Sequence, residues 1–113
     1  MDASKFVESL KTECRDAAVK GCVETLISPP GRKPAHSLVE ISNWFVALST
    51  KEQEMVIRAM SEAAGATLFG VLAVLDGVRP IEGVGEKSEF HLTAIRQGIE
   101  TKICPSEYFL HDL

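Results

Sequence analysis

The residues best suited to chemistry lie directly after the longest uncharged stretch of the chain, where Asp76, Arg79 and Glu82 occur within seven residues. Two carboxylates and a guanidinium in a loop punctuated by Gly77 and Pro80 could form a polar pocket for a small ligand. The same side chains could instead pair with one another and hold the loop in place, as polar residues at helix ends commonly do. The sequence favours the structural role, and the pocket remains the alternative.

Histidines are the next candidates, because His36, His91 and His111 could converge on a metal ion. They come from distant segments, and no HExxH helix or paired-cysteine pattern accompanies them. The chain also lacks a nucleophile elbow, a phosphate-binding loop and a dinucleotide fingerprint. We therefore expect no metal site and no cofactor, and the sequence favours a non-catalytic protein while an enzyme remains the alternative.

The three cysteines are odd in number and lack metal-type spacing, which is typical of free thiols in a reducing compartment. Cys14 and Cys22 belong to an apolar helical pattern, where cysteine acts as a small hydrophobic residue. Cys104 is then the one cysteine expected to be exposed. No catalytic signature surrounds it.

Composition places the chain among single-domain globular proteins, with 113 residues, 45% of them hydrophobic and 25% charged. The net charge is −4, and no basic cluster is longer than Arg32-Lys33, so we expect no nucleic-acid partner. The amino terminus does not resemble a secretory signal. The longest uncharged run, residues 63–75, is shorter than the roughly 20 residues that span a bilayer. These observations predict a cytoplasmic protein without a membrane partner.

Three helices are predicted. The first covers residues 4–27, and its apolar positions recur at helical spacing: Val7, Leu10, Cys14, Ala18, Cys22 and Leu26. A second apolar line on the same helix (Val19, Val23 and Ile27) could serve self-association. The proline-rich segment 28–34 must be a loop.

The second helix is predicted at residues 38–48, with a capping box formed by Ser37 and Glu40. Phe45 lies in its apolar stripe and Trp44 at the edge of that stripe. Trp44 could close the core beneath the proline loop, or it could face a partner, since tryptophan is enriched at binding hot spots.

The third helix is predicted at residues 51–76, beginning at a capping box within residues 49–53 and ending at Asp76-Gly77. From Ala63 onward it is apolar on all sides, which predicts a central helix wrapped by its neighbours. Residues 89–95 and 99–104 alternate around Gly98 and predict a β-hairpin, although a helix is also compatible with their spacing. The expected fold is α+β: three helices with the third buried centrally, then a carboxy-terminal hairpin packed on the helical layer and a docked tail.

The segments Leu68–Arg79 and Ile81-Glu82, the hairpin around Gly98 and the closing Leu110–Leu113 together resemble a small family of uncharacterised bacterial proteins. The similarity covers residues 66–113. It implies a helical layer followed by a hairpin, and it implies no activity. Bacterial proteins of this build include immunity and partner-binding proteins.

We therefore expect a non-catalytic protein-interaction module, immunity-like or self-associating, whose contact residues include Trp44. The alternative is a small-molecule-binding protein or enzyme that uses Asp76, Arg79 and Glu82.

Overall fold

The computed structural model describes all of residues 1–113. Helix α1 comprises Ala3–Leu10, a π-helical segment at Lys11–Asp16, and Ala17–Ile27; α2 is His36–Val46 and α3 is Thr50–Leu75. Strands β1 (Leu92–Arg96) and β2 (Ile99–Cys104) form an antiparallel hairpin, and a 3-10 turn at Leu110–Asp112 ends the chain. The prediction of an α+β fold with three helices and a carboxy-terminal hairpin is confirmed. The alternative of a helix in place of the hairpin is wrong.

The π-helical segment changes which side of α1 faces the protein. A π-helical turn holds about one residue more than an α-helical turn, so it rotates every later residue relative to the earlier ones. Beyond it Val19 and Val23 are half-buried, whereas the predicted core positions Ala18 and Cys22 are exposed, as is Cys14 within the segment. The predicted apolar stripe is therefore wrong between Leu10 and Leu26. Val19 and Val23 take up that inward role, and Ile27, the third member of the second apolar line, is exposed.

Helix α2 begins earlier than predicted. Ala35 is its N-cap, and no side chain caps the helix. Ser37 thus lies inside the first turn, and the predicted capping box with Glu40 does not form. Within the helix, the buried Ser42 hydroxyl donates a hydrogen bond of 2.5 Å to the carbonyl oxygen of Leu26, which ties α2 to the end of α1.

The capping box predicted at the start of α3 is confirmed. The Ser49 hydroxyl accepts from the Glu52 amide at 3.2 Å, and the Glu52 carboxylate accepts from the Ser49 amide at 2.9 Å. At the other end, Gly77 adopts a left-handed φ of 76° and stops the helix, as its sequence position predicts.

Because it accepts the Ser49 amide, the Glu52 carboxylate has a pKa below its ordinary value of 4.5. A carboxylate with a lowered folded-state pKa stabilises the fold above its unfolded-state pKa, and this contribution disappears as the pH falls through the folded-state pKa. We expect Glu52→Gln to lower stability at pH 7 and to flatten the decline in stability below pH 4.5. Urea unfolding at a series of pH values from 7 down to about 3, which spans the range in which most carboxyl groups titrate, measures the stability of each variant. Glu54→Gln is the matched control, and equal pH profiles for the two variants would contradict the prediction.

The hairpin turn is built by Gln97 and Gly98, which both have positive φ, 52° and 79°. This geometry suits the right-handed twist of a two-residue hairpin turn. Leu92 lies opposite Cys104, with an irregularity in register between Leu92 and Thr93. The hairpin places Ile103 and Cys104 in the core.

That main core lies at one end of the molecule, where the hairpin and the 3-10 turn pack against the first turns of α1 and the last turns of α3. Its buried members are Val7, Leu72, Ile103, Cys104 and Leu110. At the opposite end α2 packs on α1, and the buried residues are Leu26, Ser42 and Phe45. The core of the protein is thus divided between its two ends.

Between these ends the molecule has no interior. No residue in 11–25 or 46–69 is buried, although α1 and α3 run side by side in this region, which we term the waist. Only Gly70, Leu72 and Ala73 of α3 are buried. The predicted covering of the neutral stretch by its own chain therefore holds only in the last two turns. The radius of gyration is 18.4 Å, compared with about 13 Å for a compact domain of this length.

Candidate functional site

Asp76 acts as a clasp between the end of α3 and the carboxy-terminal tail. One carboxylate oxygen accepts from the backbone amide of Leu110 at 2.8 Å, and the other accepts from the amide of His111 at 2.9 Å. Nδ1 of the His111 ring lies 2.6 Å from the second oxygen. The side chain of Asp76 is only 4% exposed, and that of His111 is 13% exposed. We refer to Asp76, Leu110 and His111 as the clasp.

Aromatic rings hold the histidine of the clasp in place. Phe109 stacks on the imidazole with ring centroids 5.3 Å apart, and Phe69 meets it edge-on at the same centroid distance. The amides that Asp76 satisfies begin the 3-10 turn, where a helix-type turn leaves its first N–H groups without partners. The arrangement therefore anchors the tail, whereas the structural role favoured from the sequence was for Asp76 to pair with Arg79 and Glu82 and hold the loop.

Arg79 and Glu82 do not join Asp76. The Glu82 carboxylate accepts from the backbone amide and the hydroxyl of Ser88, both at 2.8 Å, and these bonds lower the pKa of Glu82. The guanidinium of Arg79 lies over Gly70, where a Cβ atom would collide with it. The three polar residues proposed from the sequence thus have separate partners: the tail for Asp76, Gly70 for Arg79 and Ser88 for Glu82.

Arg79 and Glu82 nevertheless border the same open groove of about 300 Å³, formed where the loop 79–88 passes the end of α3. Val74 and Phe90 contribute apolar side chains to the walls of this groove. Every buried side-chain nitrogen and oxygen in the protein has a hydrogen-bond partner, so no buried polar atom is left unpaired at this groove.

Trp44 and Phe45 are adjacent in α2 and therefore point to different sides of the helix. Phe45 is buried at 1% exposure, whereas Trp44 is 52% exposed. About half of the Trp44 side chain is therefore open to solvent at the surface of α2.

The cysteines have the opposite exposure to that predicted. Cys104 is buried, while Cys14 and Cys22 are exposed. The Cys104 thiol contacts the carbonyl oxygen of Leu75 at 3.1 Å, and burial, followed by the negative charge of Asp76, raises its pKa. Cys104 lies at the end of β2 inside the main core. Its position just before Pro105 had suggested exposure, because the neighbouring sequence does not show how the hairpin packs. Its protonated thiol suits a packing role.

The three histidines are apart, each beside a different carboxylate. His36 lies 3.9 Å from Glu40, and His91 lies 3.2 Å from Glu89. His111 belongs to the clasp. No group of three or more His, Cys, Asp or Glu side chains is arranged to hold a metal ion.

Helix α3 is long and apolar enough to cross a membrane when judged by length and composition alone. Its most apolar 18-residue window is 11% buried. The core helix of a soluble protein meets the same criterion.

Sequence reasoning missed that the partners of Asp76 are the backbone amides of Leu110 and His111. The apolar tail indicated docking, but nothing local to Asp76 points to residues 34 and 35 positions away. No protein-family profile, curated protein or solved structure matches the chain, so the resemblance to the small bacterial family rests on the quoted motifs alone.

Proposed function

We propose that this protein is a non-catalytic protein-interaction module that completes its core by associating with another polypeptide. The observation that carries the proposal is the waist, in which α1 and α3 run side by side without burying a single residue. Two helices can cover each other on one side only, so apolar residues on their other sides need a further partner.

The size of the open surface supports the same conclusion. The accessible surface is 8253 Å², about 2,100 Å² more than the roughly 6,100 Å² typical of a compact monomer of this mass. Stable protein interfaces bury about 800 Å² on each partner. The excess is therefore ample for one such interface.

The state of the polar residues argues against catalysis. Asp76 is saturated by the clasp, Glu82 by Ser88, and the thiol of Cys104 is buried and protonated. A general base or nucleophile needs a free, reachable atom and a suitable pKa. Asp76 and Cys104 offer no such atom, and the exposed Glu82 carboxylate has a pKa lowered by its bonds to Ser88, which makes it a weaker base.

A membrane is a less suitable cover for α3 than a protein. Arg58 and Glu62 lie within its most apolar 18-residue window and are exposed. Charged side chains in a bilayer interior are costly, whereas the rim of a protein interface accommodates them.

Purified full-length protein tests the proposal in sedimentation velocity at micromolar concentration, combined with affinity capture from host lysate and reconstitution with any captured protein. We expect either a mass above 12.3 kDa or a purified partner that slows hydrogen exchange in the waist. A 12.3 kDa monomer that retains no partner would refute the proposal.

The groove beside Arg79 carries a second candidate, the binding of a small anion. Arg79 makes no ion pair, and its guanidinium borders the groove. Thermal-shift titration with inorganic phosphate and succinate should show stabilisation that Arg79→Ala abolishes and Arg96→Ala retains. Equal responses in the two variants, or none in the native protein, would end this candidate.

A further inference from the structure

We propose that the partner is a second copy of this chain and that the two copies pair their α3 helices in antiparallel orientation. This inference rests on the proposed interaction function and specifies the partner. The contact surface is the neutral face of α3, defined by five residues: Val56, Met60, Ala63, Thr67 and Val71.

The neutral face follows helical geometry. Its members are four, three, four and four residues apart, which places them along one side of the helix. The two charged residues between its ends, Arg58 and Glu62, lie off this line. Ala63, Thr67 and Val71 are exposed, and Val56 and Met60 are half-buried.

Most of the chain's own contacts use a different side of α3; the exception is Arg79, whose guanidinium lies over Gly70. Leu68 and Leu72 pack into the main core, and Arg15 of α1 approaches Gly65, with its Cδ 3.8 Å from the position a Cβ would occupy. Each of the two leucines follows a neutral-face residue by one position, which is about 100° around the helix axis. The side chains of Ala63, Thr67 and Val71 are therefore left open by the chain, whereas Val56 and Met60 are partly covered by it.

The pattern of the neutral face is self-complementary. Val56 and Val71 lie at equal distances from the Ala63–Ala64 peptide, and so do Met60 and Thr67. A two-fold axis at that peptide brings Val56 against Val71 of the partner subunit and Met60 against Thr67 of the partner subunit. The smallest side chain, Ala63, lies at the axis, where the helices approach most closely. In an isologous interface each contact occurs twice in this way.

The surface area fits a second copy. Obligate homodimers commonly bury 2,000–5,000 Å² in total, roughly 1,000–2,500 Å² on each subunit. The excess of about 2,100 Å² on this chain falls within that range. Pairing two α1–α3 hairpins forms a four-helix bundle, which closes the waist and leaves no further copy of the face exposed.

Matched charge substitutions test the face. Ala63→Glu places two like charges at the axis, and we expect the dissociation constant of the dimer to rise by about 100-fold or more. Ser61→Glu introduces the same charge at an exposed position two residues before Ala63 and about 200° around the helix axis from it, and should leave the dissociation constant within about threefold. Light scattering after size exclusion and sedimentation equilibrium measure the mass, which is 12.3 kDa for one chain. Circular dichroism confirms that both variants remain helical.

The outcomes separate this inference from the proposed function. A native mass twice that of the chain, lost in Ala63→Glu and kept in Ser61→Glu, supports the dimer. A native dimer that survives Ala63→Glu refutes the neutral face. A native monomer that binds a different purified protein refutes the second copy and leaves the interaction function standing. A protein that floats with phosphatidylcholine vesicles and inserts α3 refutes both.

Discussion

Replacing Asp76 with alanine is expected to lower the free energy of unfolding by about 3 kcal/mol, because two backbone amides and an imidazole lose their acceptor in a buried site. A hydrogen bond to a charged group contributes about 1.5–3 kcal/mol, and an unsatisfied buried donor costs about 1–3 kcal/mol. The tail should detach from the core as a consequence, since the clasp holds the only turn between Pro105 and the end of the chain.

Urea unfolding gives the change in free energy, and hydrogen exchange at Leu110 and His111 reports on the tail. Glu82→Ala is the matched control, because it removes an exposed carboxylate that also accepts two hydrogen bonds, but from Ser88 within its own loop. Asp76→Asn keeps one oxygen acceptor and should give an intermediate loss. A tail that stays protected in Asp76→Ala would show that packing of Leu110 alone anchors it.

Replacing Phe45 with alanine is expected to cost about 4 kcal/mol, in line with other buried phenylalanine truncations. Replacing its neighbour Trp44, which is half-exposed, should change the free energy of unfolding by only about 0.5 kcal/mol. The larger residue is thus expected to matter less to stability, because burial and not side-chain size determines the lost transfer energy and the cavity left behind.

Far-ultraviolet circular dichroism in urea is the suitable measurement, since Trp44 is the only tryptophan and fluorescence would be lost in its variant. Phe45→Leu should recover much of the loss because it refills most of the cavity. Similar destabilisation by Trp44→Ala and Phe45→Ala would mean that Trp44 contributes to the core at this end of the molecule.

Helix and hairpin positions were predictable because their signals are local. The Ser49–Glu52 capping box and the stop at Gly77 involve residues within a few positions of each other. The turn at Gln97-Gly98 is likewise set by its own backbone preferences. Predicted helix limits consequently fall within two residues of the observed ones.

The apolar pattern of α1 was misread because periodicity assumes an unbroken α-helix. The π-helical segment Lys11–Asp16 rotates the later residues, and nothing in its composition signals the wider turn. The exposure of Cys14 and Cys22 follows from this rotation.

The sequence by itself determined the elements, their order and the neutral stretch of α3, since these depend on residue preferences over one or two helical turns. Only the tertiary structure decided what surrounds them: that Asp76 binds the tail and not Arg79 or Glu82, and that α3 lies open along the waist. Such outcomes depend on free-energy differences between contacts across distant parts of the chain. An apolar run indicates that a helix is buried against other residues, but it does not indicate whether those residues belong to the same chain or to another.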